Sequence, residues 1–137
     1  MATWSKFNIF IQDLGRKVHN LHTDSLKLML TNVAPSAANT VKSDITEIAA
    51  GNGYVAGGLA ISGTSWTQTS GTAPLTATDA TLTASGGSIG PFRYAVVYND
   101  TSASDSLIAY ADRGSSVTLN NGDSELFDFP GTILSGS

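Results

Sequence analysis

The chain has 137 residues, a net charge of −4 and a charged fraction of only 13%, and it contains no cysteine. This length fits one domain that is large enough to bury a substantial core. The composition excludes disulfides, thiolate metal sites and a cysteine nucleophile, and the hydrophobic fraction of 41% argues against a disordered chain.

The first predicted element is an amphipathic α-helix over residues 5–21. Its apolar residues recur at helical spacing on one face: Phe7, Phe10, Leu14, Val18 and Leu21. Such a helix either covers the core or docks on a neighbouring subunit. We expect residues 1–22 to form an N-terminal arm and helix without a secretory signal, and no apolar run is long enough to span a membrane.

A β domain is predicted over residues 25–129. Residues 25–32 alternate, with Leu26, Leu28 and Leu30 on one side, which predicts a half-buried strand. Residues 43–48 resemble a short capped helical turn, and the glycines of residues 51–58 predict an extended surface loop.

From residue 59 onward the sequence predicts short strands with turn residues between them. They are expected at residues 59–70, 79–84, 92–98, 106–111, 116–119 and 125–129. Phe92, Tyr94, Val96 and Tyr98 are predicted to share one face, and Asn121-Gly122 predicts a two-residue hairpin. The expected fold is mainly β: a single β-sandwich or jelly-roll-like domain over residues 1–137 with one N-terminal helix and a polar tail at residues 130–137.

No residue pattern predicts an enzyme. His19 and His22 lack a third metal ligand nearby, no serine has the spacing of a nucleophile elbow, and residues 86–90 lack the lysine of a phosphate loop. Four loop acids could supply oxygen ligands to calcium, although solvated acids are the simpler interpretation: Asp100, Asp105, Asp112 and Asp123. No other cofactor is expected.

Basic residues concentrate in the first third of the chain, whereas the remainder is acidic. A basic end favours attachment to an oppositely charged neighbour, and random variation of surface charge is the alternative. No basic patch interleaves with aromatic residues, so nucleic acid is not an expected partner. Trp4 is either a lid on the core or a partner anchor, and Arg93 either pairs with an acid or contacts a partner. The candidate interface residues are Trp4, Lys6, Phe7, Arg16, Lys17 and Arg93.

Five blocks together resemble small bacteriophage virion proteins. They are KFNIFIQDLGRKVHNL (residues 6–21), SLKLMLTNVAPSAANTV (25–41), SDITEIAAGNGYVAGG (43–58), GGSIGPFRYAVVYND (86–100) and the ending over residues 106–129. The resemblance implies a capsid decoration (cement) protein, made in the host cytoplasm and located on the virion. Its expected partners are the major capsid protein and further copies of itself, as a trimer.

Two other functions remain open at this point. One is a virion protein of the tail, neck or fibre, for which β-sandwiches are also common. The other is a carbohydrate-binding module that uses Trp66, Tyr94 or Tyr98 as a platform.

Overall fold

The computed structural model describes residues 4–127 and 134–136, and it confirms a mainly β chain with one short helix. The elements are β1 (Ser5–Lys6), α1 (Ile9–Gly15), β2 (Leu26–Thr31), a 3-10 turn (Lys42–Asp44), β3 (Leu59–Ile61), β4 (Ser65–Trp66), β5 (Ala73–Thr76), β6 (Ala80–Thr83), β7 (Ile89–Asn99), β8 (Leu107–Leu119), β9 (Ser124–Phe127) and β10 (Leu134–Gly136). Within the predicted polar tail, β10 therefore forms a strand, which pairs with β5.

The main sheet has five antiparallel strands in the order β1-β8-β7-β2-β3. Its centre is formed by the two longest strands, β7 and β8, and by β2, whose Leu28 lies opposite Val97. Two smaller antiparallel sheets accompany it, β10-β5-β4 and β6-β9. Residues predicted as two strands at 106–111 and 116–119 form the single strand β8.

A large core joins the main sheet to the smaller sheets and α1, as expected for a sandwich. We call this cluster the large core. Its buried members are Trp4, Phe10, Leu21, Leu26, Leu28, Leu30, Tyr54, Ile61, Leu75, Leu82, Ala84, Ile89, Phe92, Ala95, Val97, Ile108, Ala109, Ala111, Leu119 and Phe127. Trp66 of β4 packs against it from the side.

A second, smaller cluster lies apart from the large core. This small core consists of Phe7, Met29, Val96, Tyr98 and Leu107. The alternating residues of β2 divide between the two clusters, Leu28 in one and Met29 in the other, so both faces of the strand are buried. The prediction of a half-buried strand is therefore wrong, because irregular chain covers the second face.

The covering segment (residues 36–48) supplies much of that irregular chain. Its carbonyl groups accept hydrogen bonds from the main chain of Asn8 and Leu107, through Ala37 and Thr40 respectively. The Lys42 amide in turn donates to the Asp105 carbonyl, at 3.0 Å. These bonds tie the covering segment to Asn8, just before α1, and to the start of β8 without adding a regular strand.

The helix is shorter than the sequence predicts. Residues 5–6 pair with β8 as a strand, and α1 ends at Gly15, after which Lys17 adopts a left-handed conformation with a φ of 65°. The apolar residues predicted on one helix face therefore divide: Phe7 lies in the small core, whereas Phe10 and Leu21 lie in the large core. The described residues contain no helix that is long and apolar enough to cross a membrane.

The register of β7 shifts on both sides of Phe92. A shift of one residue exchanges the faces of a strand, so Phe92 packs in the large core while Val96 and Tyr98 pack in the small core. The prediction that these residues share one face is wrong for that reason. At the start of the strand, Gly90 has a φ of 111° and a Cβ there would lie 2.8 Å from the Val117 oxygen.

Asn121-Gly122 forms a turn but not the predicted hairpin. The turn connects β8 to β9, yet β9 pairs with β6 rather than with β8. The Gly122 amide donates to the Ala84 carbonyl, at 2.8 Å, and the Asn121 side chain accepts from the Gly86 amide, at 2.9 Å. These bonds direct the chain out of the main sheet, which an Asn-Gly pair alone does not reveal.

Candidate functional site

A cleft of about 540 Å³ lies beside α1, where the covering segment meets the turn between β7 and β8. We call it the α1 cleft. It is lined by Ile9, Asp13, Val18, Thr40, Val41, Ser102, Ala103, Ser104 and Ser106. Two further depressions of about 330 and 340 Å³ adjoin it and share Ala103, Ser104, Ile9 and Thr40 with it. The covering segment therefore borders each of these three depressions.

The Ser102 hydroxyl of the α1 cleft forms hydrogen bonds within its own turn. The Ser102 Oγ donates to the Asn99 carbonyl and accepts from the Ser106 amide, both at 2.9 Å. Its role is therefore to hold the turn between β7 and β8. Of the two histidines, His19 does not line the cleft and its Nδ1 bonds to Asn99 rather than to a hydroxyl.

The two histidines do not form a metal site together. His19 is buried beside Phe10, whereas His22 is exposed. Within residues 4–127, no group of three or more His, Asp or Glu side chains comes close enough to hold a metal ion. The structure thus places the two residues in different surroundings despite their spacing of three.

The four acids considered for calcium lie in separate contacts. Asp112 accepts from Arg93, and Asp100 lies 3.6 Å from the ammonium of Lys27. Asp123 accepts from the Asn120 amide within its own turn, and Asp105 offers its carbonyl to Lys42. None of these contacts brings two of the four carboxylates to a common point.

The candidate interface residues divide into buried and exposed groups. Trp4 is 8% exposed in the large core and Phe7 is fully buried in the small core, so neither side chain can anchor a partner on this fold. Of the two interpretations of Trp4, the lid on the core is the one that fits its burial, and Phe7, a candidate interface residue, is enclosed in the small core. Lys6, Arg16 and Lys17 are exposed, as an interface requires.

Arg93 has an acidic partner in the chain. Its Nε and Nη2 atoms donate to the two Asp112 carboxylate oxygens, at 2.8 and 3.0 Å. This paired geometry, with a further bond from the Gly114 amide, holds the pKa of the Asp112 carboxyl below its usual range. Of the two interpretations of Arg93, the ion pair across β7 and β8 is the one with a described contact.

The seven cationic side chains fall into two groups. Four are engaged within the chain: Lys27 with Asp100, Lys42 over the Tyr98 ring at 5.6 Å, Arg93 with Asp112, and Arg113 with Glu125. The remaining three are Lys6, Arg16 and Lys17, which form no ion pair with another residue of the described chain. Among the described residues, the lysines and arginines without an ion pair or ring contact therefore lie within residues 6–17, before and after α1.

The aromatic residues considered for carbohydrate binding do not form an open platform. Tyr98 is 1% exposed, and the Arg93 guanidinium lies over the Tyr94 ring at 5.4 Å. Trp66 is half-buried and packs edge-on against Phe10, with ring centroids 6.3 Å apart. These contacts leave no pair of exposed rings on a common surface among the three.

A buried polar network involving Tyr54 was not predicted from the sequence. The Tyr54 hydroxyl accepts from the Leu30 amide at 3.1 Å and donates to Glu47 at 2.6 Å. The same carboxylate oxygen accepts from the Gly57 amide at 2.8 Å. Burial, followed by the bond to Glu47, raises the pKa of Tyr54 far above its usual value. An aromatic residue between glycine pairs was the only sequence signal for this network.

Tyr98 makes a related contact from the small core. Its hydroxyl donates to the Gly57 carbonyl, at 2.5 Å, and burial raises the pKa of the phenol. Gly57 thus bonds to both networks, through its amide to Glu47 and through its carbonyl to Tyr98. The predicted surface loop at residues 51–58 is in fact anchored by one buried tyrosine of its own and one from β7.

Comparisons with the models of protein families, with curated proteins and with solved structures found no match to this chain.

Proposed function

We propose that this chain is a non-enzymatic structural protein of a bacteriophage virion, which binds and stabilises the assembled capsid shell as a decoration protein. The five resembling blocks suggest the class of protein. The placement of the cations is the observation that carries the mode of binding, because Lys6, Arg16 and Lys17 are exposed and form no ion pair within residues 4–127. Free positive charge on one region favours docking onto an acidic surface.

The proposed partners are the major capsid protein and further copies of this chain. A closed homo-oligomer, a trimer in this proposal, would match the local symmetry of a shell. A buried area of about 1,600 Å² is typical of a specific contact, and simultaneous contacts by several subunits would add avidity. The proposed location is the outer surface of the capsid, after synthesis in the host cytoplasm.

Deletion of the N-terminal region cannot test this mode of binding. Residues 1–22 include Trp4, Phe7, Phe10 and Leu21, whose side chains fill both cores. Removing them would unfold the domain, so a loss of binding would not show that this region contacts the capsid. Neutralising exposed cations one by one avoids this problem, since none of the three contributes to either core.

The test is co-sedimentation of the full chain with emptied shells of the phage that encodes it. The variant Lys6→Gln, Arg16→Gln, Lys17→Gln is compared with the charge-matched control Thr67→Glu, Thr81→Glu, Thr118→Glu, whose sites are all exposed. Both lower the net charge by the same amount from −4. We expect about tenfold or more weaker binding for the first variant and near wild-type binding for the control.

Each outcome distinguishes between mechanisms. Equal weakening by both variants would assign the effect to net charge and contradict a docking role for the three cations. Unchanged binding by both would also contradict that role. Sedimentation with tails but not with shells, or a dozen or fewer copies per virion, would replace the shell proposal by a tail, neck or fibre protein.

A further inference from the structure

His19 lies in the segment that connects α1 to β2 and is 6% exposed. Its ring stacks on Phe10, with ring centroids 5.5 Å apart and planes inclined by 28°. Its Nδ1 atom lies 3.0 Å from the side-chain nitrogen of Asn99, the last residue of β7. This buried histidine takes no part in the proposed docking surface.

The orientation of the Asn99 amide is fixed by its other partners. Its Oδ1 accepts from the main-chain amides of Thr101 and Ser102, at 2.9 and 3.3 Å. Its Nδ2 donates to the Asp24 carboxylate, at 2.8 Å. Exchanging the two atoms would place oxygen against a carboxylate and would leave two amide donors facing NH₂, so the nitrogen must face His19.

This orientation fixes the state of the histidine ring. Because Asn99 presents a donor, Nδ1 of His19 must accept, and the ring is neutral with its proton on Nε2. The Nε2 atom is buried and has no hydrogen-bond partner in the described chain. A second proton on the ring would therefore lie on Nδ1 and face the NH₂ group of Asn99.

Two charged groups face the ring, and they oppose the effect of burial. Asp13 approaches from α1, and Asp24 from the turn before β2. Their carboxylates favour a charged ring, while β7 contributes only the neutral amide of Asn99. Burial outweighs the two carboxylates and lowers the pKa of His19 below its ordinary value.

We propose that His19 is a pH-sensitive latch, which in its neutral state holds residues 16–24 against the end of β7 and on protonation releases them. The released segment includes the backbone of Arg16 and Lys17, so its release would change the position of two exposed cations. The inference concerns the folded chain alone and stands whether or not the chain binds a capsid.

The sign of the pH dependence follows from the two states. A histidine in the released segment has an ordinary pKa near 6.5, above that of the latched ring. The latch is therefore fully stable above about pH 6.5 and weakens as the pH falls toward the pKa of the latched ring. Over that interval, the equilibrium between latched and released states changes by about tenfold per pH unit.

The first test uses the unmodified full chain. Long-range proton–nitrogen NMR spectra report the tautomer of His19, and hydrogen exchange reports the protection of each amide after correction for its intrinsic rate. We expect the Nε2–H tautomer at about pH 7.5, and a progressive loss of protection over residues 16–24 below about pH 6.5, which approaches about tenfold per pH unit above the pKa of the latched ring. Amides at the centre of β7 should keep their protection, which separates local release from global unfolding.

The second test compares two histidine variants. His19→Gln retains a neutral side chain that can accept from Asn99, so its residues 16–24 should show no pH-dependent loss of protection. His22→Gln is the matched control, because His22 is exposed, and it should behave like the wild type. An Nδ1–H tautomer, unchanged protection on acidification, or loss of the pH effect in His22→Gln would overturn the proposal. The wild-type titration decides the question if His19→Gln does not fold.

Discussion

The two buried clusters differ in what covers them. The large core lies between the main sheet and further regular strands, so most of its surroundings are held by strand pairing. The small core lies under the covering segment, which contains only one 3-10 turn, Lys42–Asp44. Three depressions of the surface border the covering segment.

This difference indicates where the molecule can change without losing its fold. Regular strands share their hydrogen bonds along a ladder, so the part of the large core that strands build resists local opening. Leu21 is the exception, because it reaches the large core from the irregular chain between α1 and β2. A covering segment that is attached by a few hydrogen bonds can change its conformation around a bound partner at a lower cost in free energy. We therefore expect the strands around the large core to determine global stability, and the irregular segments, the covering segment and residues 16–24, to determine local behaviour.

Truncating two neighbouring side chains of β2 should have the largest effect on the free energy of unfolding, and this effect should differ between the two cores. Leu28 and Met29 are both fully buried, but Leu28 belongs to the large core and Met29 to the small core beside a depression. We expect Leu28→Ala to lower the free energy of unfolding by about 3–5 kcal/mol and Met29→Ala by about 2 kcal/mol. Urea denaturation measures both values.

The smaller loss at Met29 has a physical reason. The covering segment can move into the space that a truncated Met29 side chain leaves. Around Leu28, paired strands hold the neighbouring side chains in place, so the cavity stays open. Equal losses for the two variants, or a larger loss for Met29→Ala, would show that the covering segment is as rigid as a sheet.

Removing the hydroxyl groups of the two buried tyrosines should have an effect of intermediate size on stability. Tyr54→Phe leaves the Leu30 amide and the Glu47 carboxylate without their shared partner, whereas Tyr98→Phe affects only the Gly57 carbonyl. We expect a destabilisation of about 2–3 kcal/mol for Tyr54→Phe and about 1 kcal/mol for Tyr98→Phe. The urea midpoints of the two variants give the comparison, and the reverse order would contradict a stabilising bond between Tyr54 and the partly buried Glu47.

Substitution of Asp44 should have the smallest effect, and this effect should be confined to the covering segment. Its carboxylate accepts from the Thr40 and Val41 amides, which holds the pKa of Asp44 below its usual range. The stability that these bonds contribute is present above the ordinary pKa and is lost as the pH falls through the lowered one. Asp44→Asn should therefore increase hydrogen exchange in the covering segment at neutral pH and leave the urea midpoint nearly unchanged.

Asp112→Asn is the matched control for Asp44→Asn. The Asp112 pKa is also lowered, but its partners are Arg93 and the Gly114 amide in the main sheet. This variant should leave exchange in the covering segment at the wild-type rate. If both variants open the segment equally, Asp44 has no special role in holding it.

The sequence predicts the regular part of this fold better than the irregular part. Alternation identified β2 and the body of β7, because large apolar residues recur at every second position in both strands. The same alternation could not show that Met29 is buried, since the residues above it are in irregular chain. Nor could it show the register shifts around Phe92, which depend on pairing with β8.

The charge of the candidate site could be predicted from the sequence, but the contacts of its side chains could not. The concentration of basic residues near the N-terminus is visible in the sequence, and the structure leaves Lys6, Arg16 and Lys17 exposed. The pairing of Arg93 with Asp112 and the burial of Trp4 and Phe7 required three-dimensional information. Helical periodicity alone does not indicate that a helix ends at Gly15 while its apolar residues continue into a turn.

The most direct test of the proposed function is the heat stability of virions with and without this chain. Particles that lack it are prepared by deletion of its gene, and release of DNA is followed with a fluorescent dye as temperature rises. The proposal predicts release at a lower temperature from the deleted particles, with recovery when purified chain is added back. Identical release temperatures, with the chain present in wild-type virions in hundreds of copies, would contradict a stabilising role on the shell.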